Sequence, residues 1–253
     1  MEINTTKADQ WQFLQTYTPA RIARGRAGHS LPTAELLHFQ ADHAQARDAV
    51  YSELKVLDLF QALLSTFNLE VLRLQSEVKS RTQYLQRPDL GRTLSEASRK
   101  ILLEEEATAS DICFVIADGL SATAINEHAF SFLDCLMPKL NNANWQIAPI
   151  CIVEQGRVAI ADEIGFILKA KIVVILIGER PGLSSPNSMG AYITFQPQLG
   201  LTDESRNCIS NIRPEGLNYE MAAEKMWYLL QEMNLKKISG VNLKDEMLNN
   251  FLS

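Results

Sequence analysis

This chain has no run of about 18 consecutive apolar residues, so no membrane-spanning helix is expected. Basic residues are in deficit. Twenty-four Lys and Arg against 30 Asp and Glu give a formal net charge of −6. That balance argues against a nucleic-acid surface, because phosphate backbones select basic stripes. Cysteine is scarce, with four residues at irregular spacing and no C-x-x-C pair, so no zinc site is expected. Cys113, Cys135 and Cys151 lie in apolar runs and read as buried free thiols. The four histidines (His29, His38, His43, His128) show no ligand-like spacing, and no metal is expected. G-x-G-x-x-G, the Walker pattern and G-x-S-x-G are all missing, which withdraws the usual signals for dinucleotides, nucleotides and a serine hydrolase. The opening MEINTTKADQ lacks the apolar centre of a secretory signal, so a cytosolic location is expected. No internal repeat or low-complexity linker occurs.

What is present is a globular composition: 253 residues, 46% apolar and 21% charged, enough for a substantial core. The first third reads as helical. Thr33 is placed to cap a helix through AELLHFQADHAQARDAV, with Leu36, Leu37 and Phe39 in a partial apolar stripe. A second helix is expected near Ser52–Ser65, and LEVLRLQSEV alternates like a strand. From Asp111 onward strand and helix alternate. ICFVIA, WQIAPICIV and IVVILI read as strands, Ala191–Phe195 as a fourth, and Asn218–Asn234 as a closing helix. The fold class expected is α/β: a Rossmann-like parallel sheet with helices on both faces, preceded by a mainly helical N-terminal module. The division falls at 1–106 and 107–253.

Three strand-to-helix loops carry the candidate chemistry. They are Asp118-Gly119-Leu120-Ser121, Glu154-Gln155-Gly156-Arg157-Val158 and Gly178-Glu179-Arg180-Pro181-Gly182. In a parallel sheet such loops cluster at the carboxyl ends of the strands, where ligands bind. Asp118 or Ser121 also suits an ordinary helix cap, and Glu179 suits a surface carboxylate paired with Arg180 or Arg157. Cys208 stands in polar SRNCISNIRPEG with no evident base beside it. Arg21, Arg24 and Arg26 form a glycine-broken basic segment suited to a partner's acidic patch, to a phosphate, or to a solvated loop.

The segments TPARIARGRAG, LLHFQADHAQARDAV, YLQRPDLGR, ICFVIADGLSATAI, GRVAIADEIG, VILIGERPGLSS and RNCISNIRPEG resemble the small (light) subunit of ethanolamine ammonia-lyase. The resemblance runs from Thr18 through nearly the whole chain. It implies a lyase that converts ethanolamine to acetaldehyde and ammonia with adenosylcobalamin. It also implies a hetero-oligomer, with a large (heavy) subunit that holds substrate and radical chemistry and is contacted by the N-terminal module. The 107–253 portion is then a Rossmann-like cobalamin-binding domain, inactive alone. The family's cofactor contacts fall on Val158, Glu179 and Cys208, with no catalytic residue on this subunit. D-x-H-x-x-G is absent, which implies that the cofactor's own dimethylbenzimidazole stays on cobalt. The resemblance implies a cytoplasmic location, with a bacterial microcompartment as its alternative. Two other readings remain: a stand-alone Rossmann-type enzyme using Ser121, Glu179 or Cys208 on a phosphorylated small molecule, and a subunit that serves assembly alone.

Overall fold

The computed structural model describes residues 6–18, 20–105 and 107–247. Two short strands, β1 (Thr6–Lys7) and β2 (Arg26–Ala27), pair antiparallel and fold the N-terminal arm on itself. Helix α1 spans Thr33–Tyr51. The expected Thr33 cap does not form: Thr33 is the first helical residue, Pro32 takes the cap position, and no side chain caps the helix. The apolar stripe of α1 finds little cover within the chain. Ala49 is its one buried residue, and Leu37 is 58% exposed. The arm is tied to α1 by charge, through Arg21–Asp42 and Arg24–Glu35 ion pairs. Two of the three arginines in the basic segment are therefore engaged inside the chain.

The remaining elements are α2 (Val56–Phe67), β3 (Val71–Gln75), α3 (Arg81–Gln86), α4 (Glu96–Glu104), β4 (Ser110–Ala117) and α5 (Ala122–Asn142). They are followed by β5 (Ile150–Glu154), α6 (Ile160–Ile167), β6 (Ala170–Gly178), β7 (Met189–Phe195), β8 (Arg206–Ile212) and α7 (Tyr219–Lys236). Six strands form one sheet in the order β3-β5-β4-β6-β7-β8. Its first strand, β3, comes from the N-terminal third and pairs parallel with β5.

Side chains alternate across the sheet, and both faces are covered. Ile112, Phe114 and Ile116 of β4 pack with Ile125 and Phe132 of α5 and with Met226 and Leu230 of α7. The intervening Cys113, Val115 and Ala117 pack with Ile160 and Ile164 of α6 and with Leu102 of α4. A strand buried on both faces needs no polar residue at either parity, which is why these strands read as unbroken apolar runs. Each such Phe, Ile or Val contributes about 1.5–3 kcal/mol of burial.

The sheet is mixed rather than parallel throughout. β3, β5, β4 and β6 run parallel, β7 runs antiparallel to β6, and β8 runs antiparallel to β7. Only residues 179–188 separate β6 from β7, too short a connection for a helical crossover, so the chain returns as a hairpin. One feature of the parallel part fixes the site. The loop after β4 leads to a helix on one face, and the loop after β5 leads to a helix on the other. Such a divergence opens a crevice at the carboxyl ends of the strands.

Candidate functional site

The crevice is a cleft of about 400 Å³ lined by Tyr84, Gly119, Leu120, Arg157, Val158, Ile177, Gly178, Glu179, Arg180 and Tyr192. All three loops anticipated from the sequence therefore meet in one place. Two glycines bring the first and third into contact. A Cβ on Gly119 would stand 2.3 Å from Gly178 O, and one on Gly178 would stand 2.0 Å from Ser121 O. Gly119 also has φ +58°, a region costly for residues bearing a Cβ. The resulting approach lets Leu120 N donate to Gly178 O at 2.9 Å.

Glu179 sits just past the end of β6 and is only partly exposed. It forms no ion pair with Arg157 or Arg180. Its carboxylate instead accepts from the Ser188 and Ser210 hydroxyls and from the backbone N–H of Asn211, at 3.2 Å for the last. Two backbone features make this possible. Gly190 has no side chain, and a Cβ there would lie 3.0 Å from Glu179 Oε1. The β7–β8 register also shifts between Met189 and Ala191, and Asn211 takes φ +61°. A bulge of this kind re-aims the donors of an edge strand, and here the residues at the irregularity are those that hold Glu179.

Val158 lines the same cleft from the loop after β5 and rests on the core beside α6. Cys208 does not line it. It lies on β8 opposite Tyr192, which does, and the two side chains interact across the strand pair. Cys208 and Ser210 share a face of β8 by the period of two, so the thiol neighbours the Glu179 carboxylate. Burial pushes the Cys208 thiol above its ordinary range, as does the Glu179 charge, against a lowering contribution from Tyr192. A thiol held protonated is a poor nucleophile, which fits a contact role better than catalysis.

Ser121 is fully buried and used up locally. Its hydroxyl accepts from Ala124 N as the cap of α5 and donates to Pro186 O at 2.9 Å. It is a structural cap that also pins the Glu179 loop. Asp118 is also buried and accepts from Gly119 N and Gly156 N at 3.0 and 3.1 Å, joining the first loop to the second. Desolvation pushes its carboxyl up to about 6, against the pull of Arg81.

No sequence motif marks the layer beneath the cleft. Tyr84 of α3 is sandwiched between two guanidinium groups, with Arg81 at 4.6 Å and Arg157 at 4.0 Å from its ring centroid. Its hydroxyl donates to Gly156 O at 3.0 Å. Arg81 donates to Val50 O and Gly119 O. Arg157 donates to Tyr84 O from its side chain and to Gly91 O from its backbone. The YLQRPDLGR stretch is thus the floor that supports the loops after β4 and β5. The available signal was its unusual density of Arg, Tyr, Pro and Gly, but nothing local told where it packs.

Among the described residues, no group of three or more His, Cys, Asp or Glu is placed to hold a metal ion, and no helix is long and apolar enough to cross a membrane. Residues 8–244 match the ethanolamine ammonia-lyase light chain (EutC) family. The chain is 55% identical over 239 residues to the ethanolamine ammonia-lyase small subunit of Azotobacter vinelandii, covering 93% of this chain and 88% of that one. It is 51% identical over 246 residues to the subunit of the same name from Pseudomonas syringae pv. tomato, covering 96% and 85%. Against the one from Ralstonia nicotianae it is 52% identical over 244 residues, covering 95% and 90%.

Proposed function

The chain belongs to the ethanolamine ammonia-lyase light-chain family, and we propose that it supplies one wall of an adenosylcobalamin site to a large subunit that carries substrate. The holoenzyme converts ethanolamine to acetaldehyde and ammonia. Adenosylcobalamin supplies a homolysing cobalt–carbon bond when bound. This chain's residues bind and orient, and none is assigned a catalytic step. Val158 offers apolar contact, Glu179 accepts hydrogen bonds from amide groups on the corrin periphery, and Cys208 adds a contact on the β8 side.

The observation that carries this reading is the placing of Val158 and Glu179 in one cleft, with Cys208 beside the Glu179 carboxylate. The residues suit an amide-rich ligand. Apolar Ile177 and Val158 lie next to a fixed carboxylate acceptor. Among the described residues, buried Arg157 Nε and Arg81 Nη2 have no hydrogen-bond partner. A cleft of about 400 Å³ takes only part of a large macrocycle, which fits a site completed by a second subunit. The portion before about residue 106 meets the large subunit, although its β3 and α4 join the sheet and its cover. Its working location is the cytoplasm or a bacterial microcompartment.

Reconstitution tests the proposal. The purified chain alone should show no ethanolamine deamination, and adding the large subunit with adenosylcobalamin should restore it. Deamination by this chain alone would overturn the reading.

A further inference from the structure

Glu179 is the carboxylate of the cleft, and its three internal donors leave it about one of roughly four lone-pair sites for a ligand. The rest of the unspent polar capacity of the cleft is cationic. Arg180 is exposed at the rim and, among the described residues, makes no ion pair or hydrogen bond. Arg157 is partly buried, makes no ion pair there either, and has an unpartnered Nε. Burial lowers its pKa and Arg81 and Arg92 repel its charge, against the pull of Tyr84 and Asp118. The buried Asp118 carboxylate is committed to the backbone of two loops and lies 3.7 Å from Arg81. Positive charge thus gathers at one cleft of an acidic chain. A cationic cluster that is desolvated and poorly compensated is relieved by an anion, and guanidinium groups match the oxygens of phosphate.

We propose that Arg157 and Arg180 form an anion subsite in this cleft and receive the phosphodiester of the cofactor's nucleotide tail. The subsite rests on the cobalamin reading and adds to it a place for the one fixed negative charge of the ligand. The Tyr84 ring holds Arg157 from below, so its guanidinium is oriented before the ligand arrives. Arg180 completes the pair from the opposite loop, next to the Glu179 anchor.

The test compares two ligands on the complex with the large subunit. Adenosylcobalamin carries the phosphodiester, and adenosylcobinamide lacks the whole nucleotide tail. Arg180→Ala should weaken adenosylcobalamin binding about ten-fold, as expected for loss of a charge-assisted hydrogen bond. Arg157→Lys keeps the charge but loses the planar fork and its stacking on Tyr84, and should weaken it several-fold. Neither substitution should change adenosylcobinamide affinity by more than about two-fold. Arg180 has no internal bond to lose, so misfolding does not confound its result. Equal losses for both ligands, or none for either, overturn the subsite while leaving cobalamin binding intact. Failure of the wild-type complex to bind either corrinoid would overturn the cobalamin reading and the subsite together.

Discussion

Gly119 and Gly178 stand back to back, and each occupies space that a side chain on the other's loop would need. A Cβ on Gly178 would meet Ser121 O at 2.0 Å and Asp118 O at 2.5 Å. These are backbone atoms, which do not swing aside as the end of a flexible side chain does. The contact joins the loops after β4 and β6 and so sets the width of the cleft. Gly178→Ala is expected to cost about 3 kcal/mol or more through overpacking, visible as a lower urea midpoint. A midpoint unchanged from wild type would show that the loops can separate freely.

The Ser210 hydroxyl donates to Glu179 from the edge strand. Ser210→Ala removes that donor but leaves those from Ser188 and Asn211. A loss of about 1 kcal/mol is typical for one such bond, and it should appear as roughly five-fold weaker adenosylcobalamin binding with assembly intact. Unchanged affinity would mean that the orientation of Glu179 does not matter.

Asp118 gives a pH signature. Its folded pKa, about 6, lies above its ordinary value of 3.8. Folding therefore takes up a proton between those values, and the favourable contribution is fully present below about pH 4. It is lost as pH rises through 6. Stability of the wild type relative to Asp118→Asn should fall by about 1–2 kcal/mol between pH 5 and pH 7.5. Urea unfolding of both proteins at the two pH values measures this, and a pH-independent difference would contradict it.

The strands between Asp111 and Gly178 were legible because burial on both faces forces unbroken apolar runs, as in ICFVIA and IVVILI. The closing helix Asn218–Asn234 was legible for the related reason that Met226, Leu230 and their neighbours cover one sheet face. β8 was not legible. RNCISNI is an edge strand whose alternate residues face outward, so Arg, Asn and Ser hide its extended backbone. That strand carries Cys208 and Ser210, so the way Cys208 adjoins Glu179 was invisible too. Helix α1 misled in the other direction. Leu36, Leu37 and Phe39 form a stripe that stays largely exposed, with Arg21 laid over the Phe39 ring and His43 stacked beside it. The Tyr84 sandwich was illegible because Arg81, Tyr84 and Arg157 meet only after β3 and β5 have paired.

The Cys208 residue is exposed on β8, while neighbouring atoms partly desolvate its thiol and hold it above its ordinary range. It should react slowly with iodoacetamide near pH 7 and faster as pH rises. In the complex with the large subunit, adenosylcobalamin should slow the labelling further. Labelling at pH 8 that cobalamin does not alter, followed by mass spectrometry, would separate Cys208 from the cofactor site.

The most direct measurement is a titration of adenosylcobalamin into the complex of this chain with its large subunit, comparing wild type with Glu179→Ala. The account predicts binding at least about ten-fold weaker, from loss of a charged acceptor, while the two subunits still co-purify. Wild-type affinity in the Glu179→Ala complex would contradict it.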